Sequence, residues 1–198
     1  MVQVASVEPR IYVYPNFLTE EECDHIIELG IQHGLERSRV ATNDAENLSE
    51  QRTSYGAFLT PGDPVLSKIE GKIAVWTHLP VEHGEPFYLL RYQQGQQYKP
   101  HWDYFDTKLP GMEKYIGASG QRTATVLLYL ATPEEGGETI FPTAELMVPC
   151  VRGTAVLFYS HTGDHTLDPK SYHGGMPVAK GTKYCCTKWI RENRWVMD

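Results

Sequence analysis

The chain contains no long hydrophobic run, and none of its apolar stretches approaches the ~20 residues that a membrane-spanning helix needs. It also has no basic excess. Its 198 residues carry a formal net charge of -7, whereas nucleic-acid-binding proteins usually carry a positive charge. The acidic balance is too small to indicate disorder. These absences predict an ordinary globular protein with neither a membrane span nor a nucleic-acid partner.

Cysteines are few, and they lack the CxxC spacing that would indicate a zinc ribbon. Cys185 and Cys186 are adjacent, and a disulfide between neighbouring residues would be strained. We therefore expect free thiols in a reducing compartment, with a single disulfide that involves Cys23 or Cys150 as the alternative. The first ten residues do not resemble a signal peptide. If the chain is full length, a cytoplasmic location is favoured; the oligomeric state is left open.

The first 85 residues predict mainly helices, and the remainder predicts mainly strands. A capping box formed by Thr19 and Glu22 begins a helix that runs to about Gly34, and Pro64 begins a second helix. Short apolar stretches separated by Gly- and Pro-rich turns follow. The candidate strands there are Phe87–Tyr92, Tyr98–Tyr104, Arg122–Leu130, Glu138–Phe141, Thr154–Tyr159 and Lys183–Ile190. This order predicts a mainly β domain, a sandwich or barrel with flanking helices packed on one side.

His101 and Asp103 are the first candidate metal ligands. If both lie on one β-strand, their side chains point to the same face because side chains alternate with period two, and Trp102 points away. An imidazole and a carboxylate on one rigid face can hold a metal ion if a third ligand comes from elsewhere in the chain.

The third ligand can come from a later histidine, and a lysine adds a second clue. Two glycines follow His173 and allow close approach of a ligand, whereas His161 and His165 flank a turn and are expected to be structural or exposed. One face of the last candidate strand carries Lys183, Cys185, Thr187 and Trp189. If that face is buried, the Lys183 ammonium needs an anionic partner, and a ligand carboxylate would serve.

These residues together form a specific pattern: His101-x-Asp103, then His173, then Lys183 ten residues later. The flanking segments that extend the pattern are Leu90–Phe105, Gln121–Leu130, Glu134–Thr139, Leu167–Val178 and Thr187–Ile190. The pattern resembles the iron(II)/2-oxoglutarate dioxygenases, and the flanks resemble the prolyl 4-hydroxylases of the collagen, plant and algal type.

The resemblance implies a double-stranded β-helix, or jelly-roll, core at about residues 86–192, with N-terminal helical support at about residues 1–85. It implies a single domain over residues 1–198. It also places Arg37–Arg52, a long polar stretch that predicts a loop, where algal enzymes of this family have a mobile substrate-covering loop.

The resemblance also implies the chemistry. Iron(II) would be held by His101, Asp103 and His173, with 2-oxoglutarate and dioxygen as cosubstrates and ascorbate as the reductant. In this family, oxidative decarboxylation of 2-oxoglutarate to succinate and CO₂ accompanies hydroxylation of an unactivated C–H bond. The presence of Asp103 favours hydroxylation, because related halogenases lack this carboxylate.

Further roles follow from matching positions. Lys183, the fourth member of the catalytic set, would bind the distal carboxylate of 2-oxoglutarate as a point charge. Tyr92 and Thr139 match positions that hydrogen-bond the same carboxylate; the alternative is a core tyrosine and a turn threonine. For a proline-containing peptide substrate, the matching residues are Arg122, Tyr98 and Trp189.

The leading hypothesis is therefore a peptidyl-proline 4-hydroxylase. The alternative with the same chemistry is a hydroxylase of peptidyl lysine, a free amino acid or another small molecule, because substrate-binding loops vary independently of a metal site. A non-catalytic metal-binding jelly roll is disfavoured by the intact set of ligands and Lys183. A zinc hydrolase is disfavoured because no HExxH-like arrangement is present.

Overall fold

A computed structural model describes residues 1–40 and 50–196 of the protein. Short strands dominate the described chain. They are β1 Gln3–Ser6, β2 Ile11–Tyr14, β3 Glu36–Arg37, β4 Tyr55–Phe58, β5 Tyr88–Tyr92, β6 Tyr98–His101, β7 Arg122–Ala131, β8 Glu135–Gly136, β9 Thr139–Phe141, β10 Leu146–Val148, β11 Ala155–Tyr159, β12 His173–Gly175, β13 Val178–Lys180 and β14 Lys183–Arg191. The prediction of a substrate-covering loop at Arg37–Arg52 falls mostly on residues 41–49, which lie outside the described residues.

The two predicted helices are present as α1 at Glu20–His33 and α2 at Pro64–Thr77. The capping box forms, because the Thr19 hydroxyl accepts from the Glu22 N–H and the Glu22 carboxylate accepts from the Thr19 N–H. At the start of α2, the Asp63 carboxylate accepts hydrogen bonds from two backbone N–H groups, and a proline follows it at the first helical position.

The strands form three antiparallel sheets. An eight-stranded sheet has the order β1-β2-β11-β7-β14-β5-β4-β3, and a four-stranded sheet has the order β10-β9-β12-β6. The pair β13-β8 makes a small third sheet. The eight-stranded sheet packs its inner face against the four-stranded sheet, and both helices pack on its outer face. The fold is thus the predicted double-stranded β-helix, and the N-terminal segment adds four strands to it as well as the helices.

Period-two alternation divides the interior into two cores. The helix-facing side of β7 carries Ala124, Val126, Leu128 and Leu130. The opposite side of the same strand carries Thr125, Leu127 and Tyr129, which face the space between the sheets. Each central strand thus contributes one face to a dry core under the helices and the other to the space that contains the site.

The predicted strand Tyr98–Tyr104 was wrong at its C-terminal end. Strand β6 ends at His101, and Asp103 lies in a bend beyond it. The reason is the length of the partner strand: β12 begins at His173, which pairs directly with His101, so the ladder has no partner beyond that point. His101 and Asp103 therefore do not share a strand face.

No helix of the described chain is long and apolar enough to cross a membrane. The four cysteines are buried and unpaired, as expected for free thiols.

Lys188 is a buried cation on the helix-facing side of β14, with a side chain 4% exposed. Its ammonium donates to the Glu70 carboxylate of α2 at 2.6 Å. We predict that Glu70→Ala lowers the free energy of unfolding by about 2 kcal/mol, because it leaves a buried ammonium unpaired. Lys188→Met should cost less, since it removes the charge and keeps the packing. Urea denaturation measures both, and a larger loss for Lys188→Met would contradict this account.

Candidate active site

Three predicted metal ligands meet between the two larger sheets. His173 opens β12 and pairs with His101, the last residue of β6, while Asp103 reaches inward from the bend. One ligand atom from each lies within 4.8 Å of the other two. Within residues 1–40 and 50–196, no other three His, Cys, Asp or Glu side chains gather in this way.

Both imidazoles are oriented by the same local hydrogen bond. The Nδ1 atom of His101 lies 2.9 Å from the Lys99 carbonyl oxygen, and the Nδ1 atom of His173 lies 2.9 Å from the Ser171 carbonyl oxygen. A carbonyl can only accept, so each Nδ1 carries the proton and each Nε2 presents a lone pair. Burial also lowers the pKa of His173 to about 4, which keeps this imidazole neutral.

Asp103 supplies a fixed, charged oxygen ligand. Its two carboxylate oxygens lie 3.5 Å from the Nε2 of His101 and 3.7 Å from the Nε2 of His173. The Thr125 hydroxyl on β7 donates to it at 2.7 Å. Burial alone would raise the pKa of this carboxyl, but the two neighbouring imidazoles and the guanidinium of Arg122 hold it well below its usual range.

This donor set fits a divalent iron ion. Two imidazole nitrogens and one carboxylate oxygen on one side are the facial triad of non-haem iron(II) oxygenases, which leaves further coordination positions open. The hydrogen bonds donated by each Nδ1 and by the Thr125 hydroxyl are the outer contacts that orient such ligands. His101, Asp103 and His173 are therefore the residues that would hold the metal.

Lys183 lies near this group at the start of β14, with 3% of its surface exposed. Its ammonium donates to the Gly137 carbonyl oxygen at 2.7 Å and lies 5.4 Å and 5.5 Å from the ring centres of Tyr92 and Tyr129. No carboxylate of the described chain forms an ion pair with it. A buried cation without an anion is costly, so the site is suited to an anionic ligand.

A cavity of about 50 Å³ joins Lys183 to the triad. Tyr92 and Thr139, predicted to bind the 2-oxoglutarate carboxylate, both line it. Thr139 accepts a hydrogen bond from the Tyr129 hydroxyl at 2.8 Å, and burial raises the pKa of Tyr92, so its hydroxyl stays protonated and can donate. Two hydroxyl-bearing residues thus line the cavity that contains the ammonium, and their bonds to the cosubstrate stay a prediction.

A larger groove of about 680 Å³ opens on the other side of the triad. The predicted substrate residues Tyr98, Arg122 and Trp189 all line it. Tyr98 stacks on the His101 imidazole with ring centres 3.5 Å apart. The groove and the inner cavity share Arg52, Tyr98, His101, Asp103 and Trp189. The triad therefore lies where the two spaces meet.

Arg122 is held in place before any ligand binds. Its guanidinium donates to both carboxylate oxygens of Glu85, at 2.6 and 2.8 Å, and lies 3.9 Å from the ring centre of Trp189. Trp189 is buried, and its indole N–H has no hydrogen-bond partner in the described chain. The groove therefore contains a fixed cation, the Arg122 guanidinium.

The family model of the 2OG-Fe(II) oxygenase superfamily matches residues 87–191. The chain belongs to this superfamily. Iron(II), 2-oxoglutarate and dioxygen are the metal and cosubstrates of the superfamily, and the donor set and the buried lysine fit them. The match covers the part of the chain that contains the whole triad and Lys183.

Within the 2OG-Fe(II) oxygenases, curated proteins similar to this chain include prolyl 4-hydroxylases. A probable prolyl 4-hydroxylase 10 of Arabidopsis thaliana is 43% identical over 217 residues, which covers 98% of this chain and 73% of that protein. Prolyl 4-hydroxylase 2 of the same plant is 42% identical over 213 residues, covering 96% of this chain and 69% of its own length. The chain therefore falls in the prolyl 4-hydroxylase family.

Solved structures of prolyl hydroxylases are similar to the structure of this chain. The viral collagen prolyl hydroxylase of Paramecium Bursaria Chlorella virus-1, in its 2OG complex, superposes with a TM-score of 0.72 and 29% identity, covering 96% of this chain and 99% of that one. A Pseudomonas putida prolyl-4-hydroxylase has a TM-score of 0.61 at 16% identity, covering 96% and 95% of the two chains, and supports the fold alone.

Several residues of this oxygenase site were missed by sequence reasoning. Thr125 and Tyr129 could have been found, because they alternate on β7 toward the same face. Glu85 carries no such signal, since its role depends on the contact with Arg122, 37 residues away. Arg52, which lines both spaces and lies over the rings of Tyr88 and Tyr98, follows a segment without periodicity.

Thr125 orients the Asp103 carboxylate without being a ligand. We predict that Thr125→Val weakens Mn²⁺ or Co²⁺ binding about 10- to 100-fold, the usual effect of losing an outer-shell hydrogen bond at a metal site. Isothermal titration calorimetry measures the affinity. The matched control is Thr154→Val, another buried threonine, which lies away from the triad and should bind metal normally. Equal affinities of the two variants would contradict the role of Thr125.

Proposed function

We propose that this protein is a peptidyl-proline 4-hydroxylase that consumes 2-oxoglutarate and dioxygen and releases succinate and CO₂. The observation that carries the proposal is that a metal-binding triad and a buried cation without an anionic partner in the described chain line the same cavity. A dianion with a carboxylate at each end complements the Lys183 ammonium and a metal held by the triad.

The two ends of the cavity bind different partners, a metal ion at the triad and a carboxylate at Lys183. His101, Asp103 and His173 would hold iron(II), which, when bound, supplies the redox chemistry that couples 2-oxoglutarate decarboxylation to hydroxylation. Lys183 neutralises the distal carboxylate of 2-oxoglutarate, and the hydroxyls of Tyr92 and Thr139 lie beside it. The water-poor surroundings strengthen the Lys183 interaction, because a charge pair is screened less at low dielectric.

The groove supports a peptide rather than a free amino acid as the substrate. Its volume of about 680 Å³ exceeds what one amino acid needs, and aromatic side chains line much of it. A proline-rich segment in polyproline II conformation carries unpaired carbonyl groups and docks well on aromatic surface. Tyr98 places aromatic surface directly beside the triad, since its ring stacks on the His101 imidazole.

The prolyl 4-hydroxylase relatives support proline as the hydroxylated residue. We further propose ascorbate as the reductant that maintains iron(II). We also propose that residues 1–198 act as one catalytic domain, because strands from the first 85 residues complete the eight-stranded sheet that carries Lys183.

The proposal is tested with iron(II), ascorbate, 2-oxoglutarate and proline-rich peptides. We expect peptide-stimulated formation of succinate and a mass gain of one oxygen atom on proline, observed by mass spectrometry. The same peptides with every proline replaced by alanine are the control and should gain no oxygen. Turnover of 2-oxoglutarate without peptide stimulation would contradict the peptide assignment, and oxygen gain on the alanine peptides would contradict proline as the target.

Lys183 has a separate test. Lys183→Ala should raise the KM for 2-oxoglutarate about 100-fold or more, because a buried charge pair with the cosubstrate is worth several kcal/mol. Mn²⁺ affinity, measured by calorimetry, should stay near that of the unmodified protein, since Lys183 does not contact the triad. The control is Lys180→Ala, a nearby exposed lysine. An unchanged KM would overturn the role of Lys183.

A further inference from the structure

A row of polar residues crosses one end of the eight-stranded sheet. Lys183 on β14 lies directly opposite Tyr92 on β5. The β4–β5 register, extended by one residue, places Ser54 opposite Tyr92. Ser38 follows in the same row, because its backbone N–H donates to the Ser54 carbonyl oxygen at 3.0 Å. Residues directly opposite in antiparallel strands point to the same face, so all four side chains face the site.

The hydroxyl-bearing side chains of this row are buried next to one another. The extended β4–β5 register places Ser54 opposite Tyr92, the Ser54 and Ser38 hydroxyls are 3.0 Å apart, and the Tyr88 hydroxyl lies 3.1 Å from that of Ser38. The two serines are 0% and 1% exposed, and the two tyrosines 5% and 8%. We call Tyr92, Ser54, Ser38 and Tyr88 the hydroxyl relay.

The two ends of the hydroxyl relay lie in different spaces. Tyr92 lines the Lys183 cavity, whereas Tyr88 lines the groove. The Tyr88 ring lies between Phe58, 4.4 Å away, and Trp189, 6.1 Å away, so it forms part of the aromatic wall. Its hydroxyl reaches Ser38 by passing over Gly56, where a Cβ atom would lie 2.8 Å from it.

The number of protons that the hydroxyls can donate shows how ligand binding at Tyr92 can affect Tyr88, at the other end of the hydroxyl relay. Each hydroxyl has one proton to donate. With no carboxylate bound, Tyr92 can donate to Ser54, and Ser54 and Tyr88 both donate to Ser38. Once Tyr92 donates to a carboxylate beside Lys183, its oxygen becomes the acceptor for Ser54. Ser38 then donates to Ser54 and accepts from Tyr88 alone.

All four donors then point toward the carboxylate. Hydrogen bonds aligned in one direction polarise and strengthen each other, particularly in a buried setting. The contact between Ser38 and Tyr88 therefore becomes stronger when the cavity is filled, and the Tyr88 ring is held more firmly in the groove wall.

We propose that Ser54 and Ser38 are positioning residues that couple carboxylate binding beside Lys183 to peptide binding in the groove through the hydroxyl relay. The inference rests on the proposed function, since it takes 2-oxoglutarate and a proline-rich peptide as the two ligands. Neither serine lines the groove, so they act only through the two tyrosines. Because coupling is reciprocal, each ligand then raises the affinity for the other by the same factor.

The coupling is measured by calorimetry in the Mn²⁺-loaded protein, with N-oxalylglycine as an unreactive analogue of 2-oxoglutarate. Peptide affinity is determined with and without the analogue, and the ratio gives the coupling factor. We expect roughly a fivefold factor or more for the unmodified protein. Ser38→Ala and Ser54→Ala should reduce it at least about threefold, while analogue affinity in the absence of peptide changes much less.

Two further variants separate coupling from packing. Tyr88→Phe keeps the stacked ring, removes only the terminal hydroxyl, and should reduce the coupling factor as the serine variants do. Ser160→Ala removes an equally buried serine outside the hydroxyl relay, 1% exposed, and should keep the coupling factor unchanged.

The outcomes distinguish the two proposals. If both ligands bind but the coupling factor is the same in all variants, or falls equally in Ser160→Ala, the hydroxyl relay is not the coupling element. A uniform loss of both affinities at constant coupling also overturns the relay, since it marks a purely structural role. If N-oxalylglycine does not bind the unmodified Mn²⁺-loaded protein, the cosubstrate assignment itself fails.

Discussion

The ammonium of Lys183 carries a charge that the described chain does not neutralise. One backbone carbonyl and two aromatic rings surround it, and no carboxylate pairs with it. The partial contacts offset only part of the desolvation cost of a buried cation. A ligand carboxylate removes the remainder, so binding energy for an anion is built into the folded protein.

The strand registers of the two larger sheets position Lys183 and the metal ligands around one cavity. Lys183 is fixed opposite Tyr92 in the eight-stranded sheet, and His173 is fixed opposite His101 in the four-stranded sheet. The ammonium and the metal ligands thus come from different sheets and face one cavity. Both pairs are set by backbone hydrogen bonds, so each group has a defined place within its own sheet. A dianion can contact both the ammonium and a metal held by the triad, whereas a single carboxylate can contact only one of them, so the two centres together favour 2-oxoglutarate.

The residues that were easiest to predict belong to short sequence motifs with a characteristic spacing. The triad and Lys183 were identified from spacing and flanks, and the fold class from the order of helices and short strands. The strand around His101 was drawn too long, because the length of a strand depends on its partner, and β12 starts only at His173. A sequence pattern does not contain that pairing.

Residues that act through tertiary contacts were harder to find. Glu85 holds Arg122 from a segment with no periodicity, and Ser38 meets Tyr88 only because three strands align in one register. Thr125 was within reach, since the alternation of β7 already assigns it to the inner face. In general, alternation indicates which face a residue occupies, whereas contacts between distant strands require their register.

The most direct test of the central claim is a crystal structure of the protein with Mn²⁺ and N-oxalylglycine, with the metal located by anomalous scattering. We expect the metal peak to lie among His101, Asp103 and His173 and the distal carboxylate of the analogue to accept a hydrogen bond from the Lys183 ammonium. A metal peak elsewhere, or a distal carboxylate that leaves Lys183 without an anionic partner, would contradict the claim that this buried charge is reserved for the cosubstrate.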